Sequence, residues 1–360
     1  MAQSRELTPD ERAKPYAKYC QAPLGDPDAG LLTQLRPEAP IDPALALLPE
    51  RISDLLEPGY LPCETGWCIL PNGAGYAAVN VRMPDVTVEM VNWWFAWHGL
   101  EDLRYKLWYP PAHLGISIDE KDRAKVLDPS TPMTERFQGL CHHVLEDVGA
   151  GVQEIDICFL RPEDMGFDLS RFARPNVGTV VGANGFAYAA GAPPDAPPEP
   201  AIMCHFIREI EGGIEFRTRF WLGCTIKDGV PVCVLPPGVR IPEMVPFGIA
   251  QHDVHEYSNL RAFLPSIYAE QATWPARRHL AHLRGEQALE QGQIFAAEAV
   301  SAQIKQAFAE HPNRRASPAA LREVRTAVTV AVLARMDDLD EVTRVVDSLL
   351  SLLVKAYDIT

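Results

Sequence analysis

Gln251-His252-Asp253-Val254-His255-Glu256 opens a segment that runs on through Leu260, Phe263 and Leu264. The spacing predicts one long helix over 249–270. On a helix, residues four apart share a face, so His252 and Glu256 look the same way as Leu260 and Phe263. An imidazole and a carboxylate on an apolar stripe are costly to bury without partners. Two readings meet that cost: a core histidine with ordinary hydrogen bonds beside a helix-start glutamate, or half of a zinc site.

Upstream of this helix the sequence alternates as strands do, with stretches expected at 66–70, 75–82, 86–90, 152–160, 179–188, 201–210, 214–226 and 230–235. Gly212-Gly213 and Lys227-Asp228-Gly229 supply hairpin turns. An aromatic-rich helix is expected over 91–103, and helix or irregular structure over 135–148. Antiparallel strands followed by one long helix form an α+β pattern, and a curved sheet gripping that helix would leave a cavity between them.

Residues 1–60, rich in Pro and Asp, read as a small N-terminal region laid over a main domain of 61–273. Residues 274–360 read as an added helical region, with helices at 276–310, 317–335 and 338–357 that serve oligomerisation or cover the main domain.

The 360 residues are 47% hydrophobic and 22% charged, ordinary for a soluble protein able to bury a large core. A net charge of −15 argues against nucleic acid or an anionic membrane as a partner. No apolar run of membrane-spanning length occurs, and Met1 to Cys20 does not read as a signal peptide. Eight cysteines without a CxxC pair read as reduced thiols, which points to the cytoplasm.

Three further segments carry ligand-type side chains: His113 after Pro110-Pro111, His142 with Glu146, and His205 before the Gly212-Gly213 turn. Each has a bland structural reading when taken alone. Together, His113, Glu146, His252 and Glu256 would make a two-histidine, two-carboxylate zinc site, whose carboxylates offset the charge of a buried ion. The HExxH spacing of metalloproteases and the inward Glu-x-x-His pairs of di-iron bundles are both absent.

The stretch Trp97-His98 through Tyr105-Lys106-Leu107-Trp108, then Pro110 and His113, resembles the phloretin hydrolase and 2,4-diacetylphloroglucinol hydrolase family. So do His142 to Gly149, Gly212-Gly213 through Arg217-Thr218-Arg219-Phe220-Trp221-Leu222-Gly223, and His252 with Glu256. The segments follow the family's order across about residues 60–272. The resemblance implies a zinc-dependent hydrolase that cleaves the C–C bond between an acyl group and a polyhydroxylated aromatic ring. It also implies a helix-grip domain similar to birch pollen allergen and START proteins, and a homodimer.

Carried over by position, the resemblance makes His113, Glu146, His252 and Glu256 the zinc ligands, Tyr105 the active-site tyrosine and His205 a pocket histidine. Two positions depart from the acetylphloroglucinol-cleaving pattern: Phe220 stands where a second tyrosine is expected, and Ile116 where an amide is. Both make the pocket more apolar and favour a bulkier or less hydroxylated aromatic ketone. The rival readings are a metal-free helix-grip carrier of an aromatic ligand, and a zinc hydrolase of an ester or non-aromatic β-diketone.

Overall fold

The computed structural model describes residues 7–128, 131–148, 151–174, 176–189, 191, 193 and 195–272. The helices expected between 276 and 357 lie outside the described residues. Three short helices come first, α1 (Pro9–Arg12), α2 (Ala17–Gln21) and α3 (Ala29–Gln34). Strands β1 (Gly66–Ile69) and β2 (Gly75–Pro84) follow, then helices α4 (Val88–Trp97) and α5 (Asp102–Trp108). Next come β3 (His113–Ile118), helix α6 (Glu120–Leu127), β4 (Cys141–Asp147), β5 (Val152–Leu160), β6 (Thr179–Ala189), β7 (Glu199–Ile210) and β8 (Gly213–Leu222). A small hairpin of β9 (Cys224–Lys227) and β10 (Val230–Cys233) precedes the 28-residue helix α7 (Met244–Gln271).

The eight-stranded sheet has the order β1-β2-β8-β7-β6-β5-β4-β3, antiparallel throughout. From β3 to β8 each strand pairs with the next in sequence. The chain makes its one long crossing between β2 and β3, and α4 and α5 sit in that crossing. The expected α+β class and the long helix expected over 249–270 are therefore present.

Four expected elements differ. Residues 86–90 alternate like a strand, but the Thr87 side chain accepts from the Met90 N–H and caps α4 instead. The helix expected over 91–103 ends at Trp97. Residues 141–147 form strand β4, not helix or irregular chain. The strand expected over 214–226 breaks at Gly223, whose φ of 81° only glycine adopts readily. The Lys227–Val230 hairpin turn has positive φ at both Asp228 (51°) and Gly229 (77°), as a type I′ turn demands.

The two sheet faces do different work. On the outer face Ile52, Leu55 and Leu56 pack with Tyr76, Cys204, Phe206 and Trp221 in one buried cluster, and the Trp221 indole donates to Leu47 O at 2.7 Å. Arg217 and Arg219 alternate with Thr218 on β8 and so point outward as well. They are 1% and 0% exposed at the side chain and share Glu64, at 2.5 and 2.6 Å. Removing one partner from a buried ionic cluster strands the others, at a cost of about 3–5 kcal/mol. Glu64→Ala is expected to lose that much stability in urea denaturation; a loss within experimental error would mean the cluster does not hold residues 43–64 to the sheet.

The inner face carries α7. The Tyr257 ring lies 4.5 Å from that of Phe216 on β8, and Phe247 meets Trp67 of β1 at 5.8 Å. Asn259 joins three parts of the chain: its amide donates to Leu107 O and Trp108 O (3.2 and 2.7 Å), and its oxygen accepts from Gly25 N at 2.9 Å. The carbonyls at the end of α5 are thereby tied to α7. Among the described residues, no helix is long and apolar enough to cross a membrane.

The cysteine reading requires one correction. Cys141 and Cys158 are disulfide-bonded, while Cys63, Cys68, Cys204, Cys224 and Cys233 are not in disulfides. The two partners sit directly opposite each other on β4 and β5, with Cα atoms 4.0 Å apart.

Candidate metal centre and active site

His252 and Glu256 stand one turn apart on the inner side of α7, and His113 reaches them from the start of β3. His113 Nε2 lies 3.2 Å from Glu256 Oε2, and His252 Nε2 lies 3.4 Å from the same oxygen. The ligand atoms of these three residues all fall within 4.8 Å of one another. Glu146 comes from β4, directly opposite His113 in the β3–β4 register, and brings Oε2 to 3.7 Å from His113 Nε2. Of the four residues expected to act together, His113, His252 and Glu256 converge on one point and Glu146 stands beside His113, the four coming from three separate elements.

Local structure fixes each one. The turn Tyr109-Pro110-Pro111-Ala112 reverses the chain, with His113 N donating to Tyr109 O at 2.9 Å. The His113 ring then stacks on Tyr105 at 4.1 Å, 2° from parallel. Its Nδ1 meets the Tyr105 carbonyl at 3.2 Å, which leaves Nε2 to face the carboxylates. On β4, His142, Val144 and Glu146 alternate inward while His143 and Asp147 point the other way. His142 does not join the cluster. Its ring packs between Phe159 at 4.7 Å and His98 at 5.3 Å, over Gly99, where a Cβ would come within 2.5 Å of it.

The electrostatics favour a compact charged centre in a dry wall. Burial opposes ionisation of Glu256, but His252 and His113 outweigh it and hold the carboxyl down at about 2. Burial likewise opposes the His252 imidazolium, and Glu256 overcomes it, so His252 shifts up. The Tyr105 hydroxyl donates to Glu146; burial first, then the Glu146 charge, push its pKa well above the ordinary value. His98 and His205 are pushed down to about 3 and about 4 by burial, so both are neutral at pH 7.

His205 faces the inner side from β7, 3% exposed. Its ring is surrounded by Phe95 (5.8 Å), Phe216 (5.2 Å) and Phe220 (6.1 Å). Tyr109 covers His252 edge-on at 5.5 Å and lies nearly parallel to His255 at 6.1 Å. Ile116 sits opposite Val144 on the inward side of the β3–β4 pair. Two polar residues beside the site were not singled out from sequence. Tyr257 and Asp253 are buried on α7, and the carboxyl of Asp253 is driven well above its usual range by burial and then by Glu256. Their only sequence signal is polar groups on the apolar stripe, one position from each ligand-type residue.

A family model for the DAPG hydrolase PhiG domain matches residues 47–269, more than half the chain. The chain belongs to this family. Among DAPG hydrolase relatives, the phloretin hydrolase of Eubacterium ramulus is 33% identical over 265 residues, covering 73% of this chain and 92% of the relative. A 2,4-diacetylphloroglucinol hydrolase from a Pseudomonas species is 28% identical over 277 residues, covering 73% and 90%. A second enzyme of that name, from Pseudomonas protegens, is 27% identical over 277 residues, covering 73% and 86%. Every element of the candidate centre lies inside the span shared with the DAPG hydrolase family.

Proposed function

We propose that the protein is a metal-dependent hydrolase that cleaves the C–C bond between an acyl group and a hydroxylated aromatic ring. Water supplies the balance: the acyl carbon leaves as a carboxylic acid and the ring carbon gains a hydrogen. The observation that carries this reading is the meeting of His113, His252 and Glu256 around one point, with Glu146 and the Tyr105 hydroxyl beside it. The relatives' names, as hydrolases of phloretin and 2,4-diacetylphloroglucinol, supply the substrate class.

The donor set fits zinc. A tetrahedral zinc with bonds of about 2.0–2.2 Å sets its ligand atoms about 3.3–3.6 Å apart. The separations of 3.2, 3.4 and 3.7 Å lie within about 0.1 Å of that range. Two buried carboxylates beside two buried imidazoles are the groups a cation would compensate. His113, Glu146, His252 and Glu256 would hold the ion. When bound, it would polarise the ketone and make water acidic enough to attack it.

The chain's own groups serve the ring. An aryl ketone does not expel its ring as a carbanion, but a phenol ortho or para to the acyl group offers a keto tautomer whose C–C bond breaks with an enolate as leaving group. Tyr105, protonated at neutral pH, would hold a substrate oxygen by donating a hydrogen bond. His205, neutral and buried, would take a phenolic proton and relay it to the ring carbon. Phe220 and Ile116 leave fewer polar groups at the ring than an acylphloroglucinol would use, which favours a bulkier or less hydroxylated acyl phenol.

In this reading the sheet and α7 form a helix-grip domain, and two chains pair. Against the metal-free carrier stand two histidines and a carboxylate converging on one point with Glu146 beside them, which a carrier does not need. The test is product identification after incubating acyl phenols with the protein in ¹⁸O-labelled water. One ¹⁸O atom in the released acid and none in the phenol is expected; binding without either product would leave the carrier. Cleavage confined to esters would leave the other hydrolase reading.

A further inference from the structure

The β9–β10 hairpin sets two cysteines face to face. Cys224 and Cys233 are direct partners in its register, and neither is in a disulfide. In antiparallel strands, opposite residues alternate between pairs that exchange backbone hydrogen bonds and pairs that do not, the second kind with Cα atoms only about 4.5 Å apart. Ile226, paired with Pro231, turns its backbone away from β10. Its N–H donates to Asn184 Oδ1 at 2.8 Å, and its carbonyl accepts from Asn184 Nδ2 at 3.0 Å. Pro231 has no N–H, which costs nothing at such a position. Beyond the cysteines, Val234 N donates to Gly223 O at 2.9 Å. Cys224 lies two residues from Ile226 and one from Gly223, so Cys224 and Cys233 form a pair without backbone hydrogen bonds. Their side chains therefore share one face at the closest approach that strands allow.

Cys224 is 2% exposed within the outer-face cluster, and Cys233 packs against that cluster while keeping part of its surface in solvent. The chain closes the same arrangement elsewhere, since Cys141 and Cys158 are direct partners on β4 and β5 and are joined. We infer that Cys224 and Cys233 are a peroxide-modifiable dithiol that closes into a second cross-strand disulfide. Cys233, open to solvent, meets the oxidant first. Its thiolate takes one peroxide oxygen, the O–O bond breaks, and with the thiol's proton a sulfenic acid and water result. The Cys224 sulfur then attacks the sulfenic sulfur, the S–O bond breaks, and a second water leaves. Two thiols lose two electrons and two protons, and one hydrogen peroxide becomes two waters. Cys204 has no such partner: it is buried opposite Gly182 and Arg219.

The test is a disulfide map of the folded full chain after hydrogen peroxide, with remaining thiols alkylated and trypsin cutting after Lys227 without reduction. The expected result is a linked pair of peptides carrying Cys224 and Cys233, lighter than its two halves by two hydrogens, with Cys204 still alkylated. Cys233→Ser should give no link. Cys224→Ser should stop at the sulfenic acid, which dimedone traps at Cys233. Unfolding in urea before the peroxide should slow the link by about tenfold or more, because the thiols no longer meet at a fixed distance. Met244, 61% exposed, reports the dose through its sulfoxide. Cys224 and Cys233 both alkylated once Met244 is oxidised would overturn the inference, as would a link that forms equally fast in urea. The map needs neither metal nor substrate, so its outcome is independent of the reading of the active site.

Discussion

Glu256→Ala and His252→Ala are each expected to lose the bound metal and to lower acyl-phenol cleavage by far more than the roughly 10- to 100-fold that loss of an outer partner costs a metal site. Glu256 is the hinge of the cluster, since one of its oxygens faces both His113 and His252. Truncating it removes a donor and takes away the carboxylate that faces both imidazoles, leaving only Glu146 beside His113. His252→Ala removes the cluster's nitrogen donor on α7. Both changes sit on a 28-residue helix whose apolar residues Leu260 and Leu264 are fully buried, so the fold should survive. Metal content and turnover are to be measured on the same samples. A variant with no metal and full activity would refute the site.

Tyr105→Phe is expected to keep its metal and lose about 100- to 10,000-fold in kcat, the range of a general acid–base or orienting group. The ring stack on His113 does not need the hydroxyl, so the His113 ring stays in place. What disappears is the donor to Glu146 and to substrate. Because that hydroxyl also steadies Glu146, the assay must run at saturating metal, where a change in metal affinity no longer contributes. Normal turnover under those conditions would mean that Tyr105 only packs.

The sequence carried some of this arrangement and hid the rest for physical reasons. His252 and Glu256 were legible because four residues on a long amphipathic helix return to the same face. Glu146 was legible as inward-facing although its element was not: residues four apart share a face in a strand as well as in a helix, so the His142–Glu146 spacing cannot tell β4 from a helix turn. His142 faces inward by the same alternation, yet packs on Gly99 instead of joining the cluster.

His113 depends on a turn that returns β3 beside β4, and turn direction is not written in a Pro-Pro pair. The Arg217-Thr218-Arg219-Phe220-Trp221 run, part of the family resemblance, divides between two tasks. Arg217, Arg219 and Trp221 hold residues 43–64 on the outer face, while Thr218 and Phe220 face the site. Tyr257 was not singled out from sequence because a hydroxyl's partners appear only once the strands that face α7 are in place. Cys141 and Cys158 were opaque for the same reason: a separation of 17 residues says nothing about which strands lie side by side.

The most direct measurement is the metal content of untagged wild-type protein, paired with acyl-phenol cleavage before chelation, after chelation and after zinc is returned. The account predicts about one zinc per chain, the usual occupancy of a four-ligand site, with cleavage that vanishes on chelation and returns with the ion. Folded protein that holds no metal, or cleavage that persists after every ion has been stripped, would contradict it.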